Sequence, residues 1–185
     1  MLIRSLAVFC GSKDGRDELF TTEAQRLGTW MASSNIRLVY GGGNVGLMGA
    51  VANAVMENGG SVVGVIPEIL DARERSHKTI TELLVVGDMH IRKRKMYELC
   101  DAAVILPGGY GTLDELFEMI TWNNLSIHDK NIYIINLNGF YDHLLAHIET
   151  MLHNGFLYEN PMHRITVVPG VAELILQPEF LANTI

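Results

Sequence analysis

Short apolar runs of strand length alternate with longer amphipathic stretches along almost the whole chain, and this alternation restricts the fold more than any other feature. Residues 2–9, 36–40, 61–66, 83–86, 102–106, 132–137 and 165–168 read as strands. Residues 16–34, 45–58, 89–99, 112–125 and 140–154 read as helices, with a short helix at the end of the chain. Strands that alternate with helices build a mainly parallel sheet covered on both faces, because right-handed crossovers are the common way to join parallel neighbours. The expectation is one α/β domain over residues 1–185, Rossmann-like and doubly wound. The polar stretch 68–78 falls outside the pattern and reads as an excursion from it.

Composition removes several functional classes. A net charge of −7 is poorly suited to neutralising a phosphate polymer, so no nucleic-acid partner is expected, although a small anion can still meet local donors. The apolar positions never join into a membrane span, and residues 1–12 lack the small-residue cleavage region of a signal peptide, reading instead as a buried strand. Cys10 and Cys100 stand far apart with no His or Cys at ligand spacing, which argues against a disulfide framework or a metal site. A reducing cytoplasm is the simplest location.

Three strands run directly into small-residue turns: Gly11-Ser12, Gly41-Gly42-Gly43 and Pro107-Gly108-Gly109. In a doubly wound fold such turns meet on the rim at the strands' carboxyl ends, where ligands bind. Residues 107–112, Pro-Gly-Gly-Tyr-Gly-Thr, open a helix, so backbone amides and the helix dipole offer an anion site there. Glycine at 108, 109 and 111 is expected for close approach and positive φ, and the Thr112 hydroxyl adds a donor. The run from Gly41 to Gly49 resembles a dinucleotide fingerprint only loosely, and neither turn ends in Gly-Lys-Ser or Gly-Lys-Thr. No cofactor is expected. Gly11, Ser12, Gly42, Gly43 and Met89 are read as lining the pocket, with Gly46 and Gly49 allowing close packing of helix on sheet.

Asp114, Glu115 and Glu118 follow the phosphate turn within two helical turns. Dipole placement explains Asp114 and Glu118, and Glu115 stands at capping-box distance from Thr112. A carboxylate beside a phosphate is nevertheless unfavourable unless hydroxyls or developing positive charge meet it, as ribose and an oxocarbenium-like C1′ would. Arg92, Lys93, Arg94 and Lys95 form four consecutive cations on a helix, of which one or two can face a common ligand. Arg92 and Lys93 lie nearer the rim; Arg94 and Lys95 are assigned to solvent or a subunit contact.

These elements together resemble the LOG (Lonely guy) family, the cytokinin riboside 5′-monophosphate phosphoribohydrolases. The resemblance rests on residues 8–12, 39–49 and 64–67, on Met89-His90 with Arg92-Lys93, and on Pro107 to Thr112 with Glu115. It continues through Thr121-Trp122, Ile127-His128, Asn136-Leu137 and Gly139-Phe140-Tyr141. It implies hydrolysis of AMP or an N6-substituted AMP to free base and ribose 5-phosphate. By motif position, Arg92 and Glu115 correspond to the catalytic pair. Glu74, Lys93, Gly109, Tyr110, Gly111, Thr112, Leu113, Asp114 and Thr121 correspond to positions that bind the purine nucleoside monophosphate. The resemblance also implies a homodimer with its sites near the interface, giving the helix around Met119 and Trp122 a use beyond the core. Asp114, Asn124 and Ser126 stand where the family frequently has Glu, Gln and Gly, which bears on base preference and local packing.

Two other readings compete. Similar sequences carry the label possible lysine decarboxylase, but no lysine here sits in a recognisable Schiff-base setting. A non-catalytic nucleotide or cofactor carrier of the same fold is the second. The seven histidines, His90 and His128 among them, show no ligand spacing, and Tyr110 either stacks on a base or covers apolar surface.

Overall fold

The computed structural model describes residues 2–71 and 76–181. Seven strands form one sheet: β1 (Ser5–Phe9), β2 (Arg37–Tyr40), β3 (Val62–Pro67), β4 (Glu82–Val86), β5 (Ala102–Ile105), β6 (Ile132–Ile135) and β7 (Ile165–Val168). Their order is β4-β3-β2-β1-β5-β6-β7, and every neighbouring pair is parallel. The direction of winding reverses between β1 and β5, which pair with Leu6 opposite Ala102 and Phe9 opposite Ile105. The topological switch point therefore lies at the carboxyl ends of these two strands.

Alternation along the central strands supplies two cores. Leu6, Val8, Leu38, Tyr40 and Val104 face one side, where they meet α1 (Glu18–Ser33), α2 (Gly46–Glu57), α7 (Val171–Ile175) and α8 (Pro178–Leu181). Ala7, Phe9, Val39, Ala103 and Ile105 face the other, against α4 (Met89–Leu99), α5 (Tyr110–Asn124) and α6 (Asp142–His153). Each large side chain buried in this way contributes about 1.5–3 kcal/mol. On the first face, α1 and α2 cross tightly at Gly28, where a Cβ would lie 2.5 Å from Val51 O. Glu23 is buried on that face because its carboxylate accepts the amide of Val171, 2.7 Å away, at the start of α7.

The expected elements are all present, most of them with shifted ends. The helix expected from residue 140 begins at Asp142, because a 3-10 turn, Leu137–Gly139, intervenes with Asn138 at φ 49° and Gly139 at φ 71°. The polar excursion starts with the short α3 (Glu68–Asp71), and its far end returns to the sheet rim through a bridge between Ser76 and Gly43. No helix among the described residues is long and apolar enough to cross a membrane.

Candidate active site

At the switch point the β1 and β5 turns are tied together, with the Gly11 amide donating to Pro107 O at 3.0 Å. Tyr141 braces the end of β5 from the α6 side, its hydroxyl donating to Leu106 O at 2.7 Å. Around these turns lies a cavity of about 330 Å3 walled by Cys10, Gly11, Ser12, Gly41, Met48, Arg92, Gly109 to Thr112 and Glu115. A larger cleft of about 510 Å3 opens at the other end of β6 and β7, beside Ile132, Ile165 and the Arg164–Asp129 ion pair. That end holds the amino termini of the parallel strands, away from the rim where the glycine turns meet.

Helix caps distinguish the rim. Asp17 caps α1 by accepting from Leu19 N at 3.0 Å, and Asp88 caps α4 by accepting from Ile91 N at 2.7 Å. At the start of α5 the cap is Gly109, which brings no side chain. The first helical bond runs from Leu113 N to Gly109 O at 3.1 Å, so the amides of Tyr110, Gly111 and Thr112 point past the helix end. This is the geometry of an anion site. In α2, by contrast, the Met48 amide is turned onto Gly11 O at 3.4 Å.

The glycines of the turn divide by what surrounds them. A Cβ at Gly108 would strike Thr112 Oγ1 and come within 2.9 Å of the Gly11 amide, so close packing requires glycine there. At Gly109 and Gly111 a Cβ would meet nothing within 4 Å. None of the three has positive φ, which corrects the expectation for this turn; positive φ occurs instead at Gly42 and Gly46. Nothing in the described chain therefore explains glycine at 109 and 111, and both face the cavity. Gly46 and Gly49 also differ from expectation: they make room for the Ser12-Lys13 loop and for the backbone of Asn44, not for the sheet.

Two charged side chains from different helices enter the cavity. Arg92 is 5% exposed; its Nε donates to Val65 O and its Nη2 to Gly41 O, both at 3.1 Å. Val65 lies within β3 and Gly41 is the first residue beyond β2, so the sheet and the turn that leaves it aim the guanidinium. A Cβ at Gly41 would overlap Arg92 Nη2, so a larger residue there displaces the guanidinium. Nη1 lies 3.8 Å from Oε1 of Glu115, which is 7% exposed and one turn beyond Thr112 on α5. Close by, the Cys10 thiol is pushed up well beyond the usual range, by burial first and then by the Glu115 charge, so it stays a neutral wall residue.

The other expected site residues fall in several places. Gly11, Ser12, Gly109, Tyr110, Gly111 and Thr112 line the cavity, with Tyr110 on the rim at 94% exposure. Leu113 packs into the second core, and Met89 sits behind Arg92, its sulfur 3.8 Å from Nη1. Gly42 and Gly43 hold the returning excursion, through His77 N to Gly42 O at 2.9 Å and the bridge to Ser76. Lys93 points to α5, with Nζ 3.0 Å from Asp114 Oδ2 and 3.2 Å from Glu118 Oε2. Burial alone would lower the Lys93 ammonium, but these two carboxylates outweigh it and hold the group above its ordinary value. Thr121 is exposed and donates to Phe117 O at 2.7 Å, outside the cavity wall. Glu74 lies outside the described residues. Cys10, Gly41 and Met48 were not singled out as wall residues by sequence; the signal for Gly41 was its place as the first residue beyond a buried strand.

The family described as possible lysine decarboxylase matches residues 48–177. The cytokinin riboside 5′-monophosphate phosphoribohydrolase LOG1 of Arabidopsis thaliana is 44% identical over 176 residues, covering 95% of this chain and 83% of its own. A probable enzyme of the same name, LOGL2 of Oryza sativa subsp. japonica, is 46% identical over 172 residues, 93% of this chain and 70% of its own. Among solved structures, the molybdenum cofactor carrier protein of Chlamydomonas reinhardtii superposes with a TM-score of 0.70 at 20% identity, covering 96% of this chain and 98% of that one. The molybdenum cofactor binding protein of Rippkaea orientalis gives 0.68 at 18% identity, covering 95% and 96%. At such identities the likeness establishes the shared α/β fold and carries nothing about ligands.

Proposed function

The chain belongs to the LOG family of cytokinin riboside 5′-monophosphate phosphoribohydrolases, and on that premise we propose that it hydrolyses the N-glycosidic bond of AMP or of N6-substituted adenosine 5′-monophosphates. The products are the free base and ribose 5-phosphate. The observation that carries this reading is the meeting, in one cavity at the β1/β5 switch point, of uncapped α5 amides with the buried Arg92 and Glu115.

The 5′-phosphate takes the amides of residues 110–112, which have negative charge to attract and no side-chain cap to displace. The ribose then lies one helical turn deeper, at Glu115. As the C1′–N bond lengthens, positive charge gathers at C1′ and O4′, and the Glu115 carboxylate stabilises it and orients the attacking water. Water supplies the new C1′–O bond, the bonding pair leaves with the base, and the proton that water gives up is balanced by protonation of the purine nitrogen. Arg92 offsets the repulsion between phosphate and carboxylate and stabilises negative charge as the bond breaks. Held by two backbone carbonyls, it needs no reorganisation to do so.

Lysine decarboxylation finds no support in the site. Lys93 is the lysine next to Arg92, and two carboxylates keep it protonated, the wrong state for forming a Schiff base. A carrier would bind AMP without releasing base, so incubating the protein with AMP and measuring adenine and ribose 5-phosphate in equal amounts separates the two readings. Tight binding without either product would favour the carrier.

We also place the enzyme in the cytoplasm as a homodimer. Thr121 stands six residues beyond Glu115 on the exposed side of α5, so it reaches a nucleotide only in a second copy's site. Exposed Ile91, Leu125 and Ile127 offer apolar surface near the same helices. Sedimentation as a dimer is the expected result, and a monomer at micromolar concentration would remove Thr121 from the site.

The glycines give a sharper test of the phosphate position. Gly109→Ala and Gly111→Ala should melt at or above the wild-type temperature, since each added methyl meets open space. Both should raise KM for AMP roughly 10–100-fold, as expected from losing one hydrogen bond to a charged group. Gly108→Ala should instead destabilise the fold by about 1–3 kcal/mol through overpacking. Unchanged KM in both cavity-facing variants would move the phosphate elsewhere.

A further inference from the structure

Arg92 and Glu115 come from different helices, so their 3.8 Å separation depends on how α4 and α5 are registered against each other. Four side chains spaced one turn apart lie between these helices: Lys93 and Tyr97 on α4, Asp114 and Glu118 on α5. Lys93 Nζ bridges the two carboxylates. The Tyr97 hydroxyl lies 2.9 Å from Glu118 Oε2 and 3.2 Å from the backbone carbonyl of Glu115 itself. Tyr97 is fully buried, its ring edge-on to Phe9 of β1 at 5.9 Å and to Trp122 of α5 at 5.0 Å.

From this arrangement we propose that Tyr97 is a positioning residue for the glycosidic cleavage: its hydroxyl, through the Glu118 carboxylate and the Glu115 carbonyl, fixes the turn of α5 that presents the Glu115 side chain. The proposal rests on the hydrolase reading above. The ring packs on Phe9 and Trp122, and the hydroxyl adds a contact to the turn of α5 that carries Glu115. A hydrogen bond to a charged acceptor is both short-ranged and directional, so it holds that turn more narrowly than ring packing does. Burial, followed by the charges of Glu118, Glu115 and Asp114, pushes the Tyr97 hydroxyl far above the ordinary phenol range, so it remains a donor at every working pH. Lys93 cannot replace it, because the ammonium contacts Glu118 and Asp114 whereas the hydroxyl contacts the backbone of residue 115.

Tyr97→Phe keeps the ring contacts and removes only the O–H. With AMP as substrate, kcat should fall roughly tenfold while KM stays within about twofold, because the phosphate amides are untouched. Glu118→Ala should also lower kcat, and the loss in the double variant should be smaller than the product of the two single losses, because both changes remove the Tyr97–Glu118 hydrogen bond. Wild-type kcat in Tyr97→Phe, or losses that multiply in the double variant, would overturn the positioning role. If the wild-type protein releases ribose 5-phosphate neither from AMP nor from an N6-substituted AMP, the hydrolase reading fails first and the positioning role falls with it.

Discussion

Glu115→Gln retains the fold and loses roughly 10²–10⁴-fold in kcat for release of ribose 5-phosphate, with little change in KM. The substitution keeps the volume and most of the hydrogen-bonding capacity of a side chain that is nearly buried, so the fold holds, at a lowered melting temperature because Arg92 loses the charge beside it. What disappears is a negative charge facing the sugar. The charge stands beside Arg92 in the resting site, and its interaction with the sugar strengthens as C1′ becomes positive. An effect confined to kcat is the signature of such an interaction. Initial rates over a range of AMP concentrations measure it, and a variant within tenfold of wild-type kcat would take Glu115 out of the reaction.

Arg92→Ala should damage both chemistry and fold. The guanidinium is spread over Val65 O, Gly41 O and the neighbourhood of Glu115, so truncation takes a donor from each of two backbone carbonyls and the positive charge away from a buried carboxylate. Removing one partner of a buried charge pair costs about 3–5 kcal/mol. Loss of a preorganised charge at the transition state lowers kcat/KM roughly 10²–10³-fold. Arg92→Lys separates the two contributions. It keeps the charge but lacks the planar fork needed to reach both carbonyls, so it should recover part of the stability and little of the rate. Denaturant midpoints and kcat/KM measured on both variants test this; an Arg92→Lys enzyme with wild-type kinetics would mean that charge alone suffices and that aim by the sheet is irrelevant.

Much of this site could be read before the fold was known, for identifiable reasons. Glycine turns after buried strands announce themselves locally, because a strand's end and a helix's beginning are both marked in sequence. The helix at Met89–Leu99 and the strand at Ile165–Val168 have the bounds expected of them. Helical geometry allowed one or two of the four cations near Arg92 to face a ligand, yet Arg92 and Lys93 are both buried. They are buried in different directions, Arg92 toward the sheet and Lys93 toward α5, a distinction that only the packing of α4 between the two can make. The resemblance implies a subunit contact for the helix around Met119 and Trp122 beyond its place in the core, and Met119 itself is fully buried in the chain's own core. Glu23 gave no local signal at all, since its partner, the Val171 amide, is 148 residues away. The late start of α6 was readable in principle, because Asn138-Gly139 is a turn dipeptide, but the apolar pattern beyond it concealed the turn.

The central claim is spatial: a phosphomonoester held by the amides that open α5, with a carboxylate turned to the pentose. A crystal structure of Glu115→Gln soaked with AMP tests it most directly, because the slowed variant preserves the intact nucleotide. The phosphate oxygens should lie within hydrogen-bonding distance of the amides of Tyr110, Gly111 and Thr112, with the side chain at position 115 beside C1′ and the ribose hydroxyls. A nucleotide bound with its phosphate away from that turn, or with position 115 facing away from the sugar, would contradict the account.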